Sequence, residues 1–188
     1  MHAEQEIAVQ LTNWATMLAD RHRYADALNA NPRALSYIER ALGPAHLMTA
    51  MIQSHVAEAY QQAGRLREAR TLIDSSLNVL LPLKSQNIFE QCLALRVRAK
   101  IEIDEHQFAD ARRTLDSARA IGVTLDATRP DLLIALRAME ATAMAAERDS
   151  AGARRQLRQI LTDYGQRREA ILPAVLQRLR VRLDSLGT

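Results

Sequence analysis

Val56-Ala57-Glu58-Ala59-Tyr60-Gln61-Gln62-Ala63-Gly64-Arg65-Leu66-Arg67-Glu68-Ala69 is the stretch on which the fold turns. It reads as one helix ending at a glycine, a tight turn, and a second helix that starts at once. Val56 and Tyr60 stand four apart and so share a helical face. Ala57 and Ala69 put small side chains where two helices must come close. Gly64 can take a positive φ after the last turn, which suits a helix terminus.

The same plan recurs at a spacing of 42 residues. The alanine that opens the second helix, Ala69, is matched by Ala27, Ala111 and Ala153; the one inside the first helix, Ala57, by Ala15, Ala99 and Ala141. Before the second-helix alanine stand Tyr24, Leu66, Phe108 and Ser150, and after it Asn31, Ile73, Leu115 and Leu157. Two gapless alanine columns mark an internal repeat. Pro44, Pro82, Pro130 and Pro173 fall between units, where a helix must stop. Pro32 lies inside the second helix of unit one; either that helix kinks there, or Asn31 caps a helix that begins at Pro32. The helix pairs predicted are 5–21 with 25–41, 48–63 with 67–80, 87–104 with 108–120, and 131–147 with 151–163. A last helix at 168–186 carries Ile171, Leu172, Val175, Leu176, Leu179 and Leu183 on one stripe and reads as a cap.

Composition agrees. Of the 188 residues, 48% are hydrophobic and 25% charged, with strong helix formers dominant and no alternating runs of β-branched residues. The chain is all-α on these grounds. Its net charge is only +3, and basic residues such as Arg112 and Arg113 are interleaved with acids such as Asp110 and Asp116. That pattern is a solvated helix face, so no nucleic-acid partner is expected. Cys92 is the one cysteine, which excludes an intrachain disulfide and fits a reducing compartment. Neither a secretory signal nor an apolar run of membrane-spanning length is visible, so the expected location is cytoplasmic and no membrane partner is expected.

These residues resemble the tetratricopeptide repeat. The small-residue columns, the large residue near the turn and Gly64-x-x-x-x-Ala69 carry the likeness, and the linker Ala41-Leu42-Gly43-Pro44-Ala45-His46 is similar to that of the 42-residue subtype of kinesin light chains and bacterial signalling proteins. The likeness is strong over about residues 7–80. It implies a single array over 1–188, a right-handed α-solenoid of four helix-turn-helix units (about 5–46, 47–86, 87–129 and 130–166) plus the cap helix. Arg98 and Glu140 stand in the column of Trp14 and Val56, and Glu102 in that of Leu18 and Tyr60. A slight rotation of helix register in units three and four is therefore expected. Trp14 and Tyr60 are expected in the core.

The resemblance further implies that the first helices line a concave surface that holds a segment of a protein partner. Carried onto this chain, the inward positions are Val9, Thr12, Asn13 and Thr16 in unit one and Met51, Ser54, His55 and Glu58 in unit two. Arg96 and Lys100 follow in unit three, Ala138, Met139 and Thr142 in unit four, and Arg180 on the cap helix. Asn13 stands where related arrays place a peptide-binding asparagine. Arg96, Lys100 and Arg180 would draw an acidic segment. An alternative is homotypic assembly, because Ile7, Val9 and Leu11 on the first helix have no preceding unit in this sequence to cover them.

Catalytic signatures are not found. His22 and His106 share a column with Gly64 and Arg148 at the ends of first helices, where they serve as helix terminators rather than metal ligands. His46 belongs to the linker and is read as a cap or a packing residue. There is no His-x-x-x-His, no cysteine pair, no Gly-x-Ser-x-Gly and no glycine-rich loop, so neither a cofactor nor enzyme activity is expected. Met48, Met51, Met139 and Met144 on first helices are read as core packing, with the lining of a partner groove as the alternative.

Overall fold

The computed structural model describes residues 2–21, 23–164 and 172–185. All regular structure among them is helical, and it falls into two compact units, 1–105 and 106–188. The first unit holds α1 (His2–Asp20), α2 (Tyr24–Leu42), α3 (Leu47–Gln62), α4 (Leu66–Leu80) and α5 (Ile88–Asp104). Here α1 pairs with α2 and α3 with α4, while α2 packs on α3, α4 on α5, and the first helices α1, α3 and α5 meet side by side. The second unit holds α6 (Phe108–Gly122), α7 (Pro130–Ala146), α8 (Ser150–Tyr164) and α9 (Leu172–Ser185), with α7 against α6 and α8, and α8 against α9.

All eight column alanines are buried, none more than 1% exposed. A methyl group is the largest side chain that lets helix backbones approach at these crossings, and the neighbouring large residues fill the flanks. Ala99 and Ala141 are as fully buried as Ala15 and Ala57, although charged residues stand nearby in the later units. The polar residues are absorbed in place. Buried Glu102 accepts from Arg98 Nε at 2.9 Å, and Arg98 Nη1 reaches Asp74 at 2.7 Å. Glu140 accepts from Arg119 and Gln156.

The turns follow one design. Gly64, His106 and Arg148 all have positive φ, at 75°, 60° and 68°. The next residue then turns its N–H back into the helix, Arg65 to Tyr60 O and Asp149 to Met144 O, each at 2.9 Å. His22, in the same column, lies outside the described residues. His46 caps α3 as expected, its Nδ1 accepting from the Met48 amide at 3.1 Å. Pro32 neither breaks α2 nor starts a new helix; α2 runs continuously from Tyr24 to Leu42.

Two expectations about the core need correction or limits. Tyr60 is buried, but Trp14 is 48% exposed, because among the described residues no helix lies over its face of α1. On α9, Leu179 and Leu183 pack against Ala138, Leu157 and Ile160 of the second unit. Ile171 and the side chains of Leu172, Val175 and Leu176 lie outside the described residues. Met144 packs on that same cluster, as read from sequence.

Candidate partner-binding surface

In the first unit, α3 and α5 bring four of the proposed contact residues together. Glu58 lies at the centre. Lys100 Nζ donates to its Oε1 at 2.5 Å, and Arg96 Nη2 donates to both carboxylate oxygens at 3.2 Å. The three side chains are each about one quarter exposed, at 21–26%. His55, one turn earlier on α3, is exposed and close enough to favour the charged forms of both Glu58 and Glu90. Burial alone would raise the Glu58 carboxyl, but Arg96 and Lys100 outweigh it and hold the group below its usual value. Glu90 has less compensation, and burial pushes it up.

The spacing explains the cluster. Glu58 and Lys100 are 42 residues apart and hold the same column of successive repeats, so side-by-side first helices make them neighbours. Arg96 is one turn before Lys100 and reaches the same carboxylate. The positive pair expected to await an acidic segment is therefore already engaged, and the cluster's surplus over Glu58 is one positive charge. Arg96 Nε, buried, has no hydrogen-bond partner. The guanidinium keeps unused donor capacity at the edge of the cluster.

The remaining positions divide. Asn13 is exposed on α1. Val9 is exposed and Met51 half-buried, on α1 and α3. Thr12 and Ser54 are buried instead: Thr12 Oγ1 donates to Ala8 O at 2.8 Å, and Ser54 Oγ meets Ser76 Oγ of α4 at 2.7 Å. They are packing residues, and no partner can reach them. Thr16 is in α1, but its side chain lies outside the described residues. In the second unit Ala138 is buried, Met139 and Thr142 are half-buried, and Arg180 is exposed on α9. Thr142 Oγ1 donates to Ala138 O at 2.9 Å, which uses its one proton within the helix. Glu90 was missed from the sequence; its place two residues before Cys92, on the same helix as Arg96 and Lys100, gave no periodic signal.

Nucleophilic and metal chemistry have no structural support at the obvious positions. Cys92 is fully buried, and burial pushes its thiol up to about 11, far from a thiolate at neutral pH. Among the described residues no group of three or more His, Cys, Asp or Glu side chains could hold a metal ion. No helix among them is long and apolar enough to cross a membrane.

Helical hairpins, a positive-φ turn in a fixed column and buried alanines at each crossing define a tetratricopeptide-type repeat protein. Residues 6–81 match the family model for the tetratricopeptide repeat, so that stretch carries repeats of this kind. The whole fold is similar to a solved structure of nearly identical TPR-like repeats assigned to a kinesin light chain of Podosopora anserina. That likeness has a TM-score of 0.75 at 15% identity and covers 100% of this chain and 97% of the other. Among curated proteins none matches the chain.

Proposed function

We propose that the chain is a non-catalytic scaffold that holds a segment of a protein partner along its first helices, as the interaction part of a cytoplasmic, bacterial signalling or regulatory protein. Tetratricopeptide repeats generally mediate protein–protein interaction, and the family supports that much directly. One observation carries the finer reading. Asn13, His55, Glu58, Arg96 and Lys100 stay at the surface of three adjacent first helices, while the neighbouring Thr12 and Ser54 are withdrawn into packing. A ridge of adaptable polar groups over a rigid alanine-packed base suits an extended peptide, whose backbone takes hydrogen bonds from Asn13 and whose carboxylate engages the surplus charge of Arg96 and Lys100.

A displayed random-peptide library tests this, panned against the chain and against Arg96→Ala with Lys100→Ala. The expected result is a consensus carrying an acidic residue, enriched on the parent and lost on the double variant. Charge reversal to Arg96→Glu with Lys100→Glu is less suitable, because it would set two further carboxylates against Glu58. No enrichment on the parent, or equal enrichment on both, rejects the surface.

A further inference from the structure

One face of α1 is uncovered among the described residues. Ala3, Ile7, Gln10, Leu11 and Trp14 line a groove there, with Glu6 at its edge. Ile7, Trp14 and Met17 are each more than two-fifths exposed. One repeat later, the same columns hold Thr49, Ile52, Val56 and Ala59 of α3, none more than 6% exposed. In α5 they hold Gln91, Ala94 and Ile101, and in α7 Leu133, Leu136 and Ala143, all buried, while the Trp14 column carries Arg98 and Glu140, partly exposed and ion-paired. Each of those faces lies against the second helix of the preceding hairpin: α2 on α3, α4 on α5, α6 on α7. This face of a first helix is thus built to receive another helix, and on α1 it is apolar and open.

We infer that α1 pairs with α1 of a second copy of this chain, antiparallel, about a two-fold axis. The stripe Ala3, Ile7, Gln10, Trp14, Met17 and Arg21 advances by alternating steps of four and three, the seam of two helices packed at a shallow angle. That spacing is unchanged when the helix is reversed. Reversal sets Ile7 against Met17, Gln10 against Trp14, and Ala3 against Arg21, so the surface is its own complement, as a two-fold interface requires. Charge selects the direction. Glu6 is exposed at the start of α1 and Arg21 just after its end, whereas Glu4 and Arg23 already pair with Arg40 and Asp26 within the chain. An antiparallel pair brings acid to base at both ends, whereas a parallel pair opposes like charges.

Light scattering on the full chain over a dilution series should show the mass rising from 21.1 kDa toward twice that value. Trp14→Glu should raise the dissociation constant by at least about tenfold, as loss of a central aromatic anchor does, with unchanged circular dichroism and melting. Glu6→Arg and Arg21→Glu should each weaken the dimer, and the two together in one chain should restore it. A chain that stays at 21.1 kDa at hundreds of micromolar overturns the inference. So does a dimer that survives Trp14→Glu, or a double swap no tighter than its singles.

Discussion

The Glu58 carboxylate on α3 holds the Lys100 ammonium of α5 at 2.5 Å, although the two residues occupy one and the same column of the repeat. A column that merely repeated its residue would stack like charges along the array. Opposite sign in units two and three instead ties α3 to α5, and Arg96 adds a second tie to the same carboxylate.

Acidification should loosen that tie. The folded Glu58 value lies below the usual 4.5, since burial, which raises it, is outweighed by Arg96 and Lys100. Its contribution is thus complete above the unfolded value and is lost as pH falls through the folded one. At neutral pH Glu58→Gln should destabilise by about 1–2 kcal/mol, between the exposed and buried limits for ion pairs. As the pH is taken from neutral to well below the usual 4.5, the difference from the parent should shrink toward zero. Urea melts of both proteins at the two pH values check this; a gap that persists in acid assigns the loss to packing.

A second tie joins α3 to α4 through hydroxyl groups. Ser76 is fully buried, and its Oγ donates to Ala50 O at 2.7 Å. That uses its one proton, so in the 2.7 Å Ser54–Ser76 contact Ser54 is the donor. Ser76→Ala removes both bonds; the Ala50 carbonyl keeps its helical partner, but the Ser54 hydroxyl loses its acceptor in a dry site. The expected loss is about 1–3 kcal/mol, read as a shift in urea midpoint at constant slope. Ser54→Ala leaves the Ser76–Ala50 bond intact and should cost less.

The alanine columns made the fold legible because close helix crossings impose size, and size is written in the residue itself. The positive-φ turns were legible only at Gly64; His106 and Arg148 adopt the same backbone without glycine's signature. The candidate surface was legible as positions but not as electrostatics. Arg96 and Lys100 look like free cations in sequence, and only the 42-residue offset to Glu58 betrays their partner. Trp14 misled for a related reason. Its column is buried at Val56 but holds the partly exposed, ion-paired Arg98 and Glu140 further on, and among the described residues no helix covers it on α1.

Arg148 should be improvable. Its side chain is exposed and its φ is 68°, where a Cβ crowds the following carbonyl. Gly64 fills the equivalent position without that penalty. Arg148→Gly should stabilise by about 0.5–1 kcal/mol, the relief of strain exceeding the added freedom of the unfolded chain. The reverse change, Gly64→Arg, should cost a similar amount. Thermal unfolding of both variants checks the pair, and a loss of stability in Arg148→Gly would show that the arginine makes contacts that outweigh its backbone strain.

Asn31 is the polar member of a column whose other members, Ile73, Leu115 and Leu157, are buried aliphatic residues. It is itself only 1% exposed, and its Nδ2 finds no acceptor. Its neighbour Pro32 adds a second defect, having no N–H for the Leu28 carbonyl one turn earlier, yet α2 continues through it. Asn31→Leu restores the column's chemistry, removing a buried donor and adding apolar contact at a crossing that already accepts Leu in two other units. A gain of about 1–2 kcal/mol is expected, with an unchanged helical spectrum. Asn31→Asp, which would bury a carboxylate there, should destabilise and do so more as pH rises. If Asn31→Leu destabilises instead, the amide oxygen must be holding a bond worth more than the orphaned nitrogen costs, and α2 depends on that bond to carry Pro32.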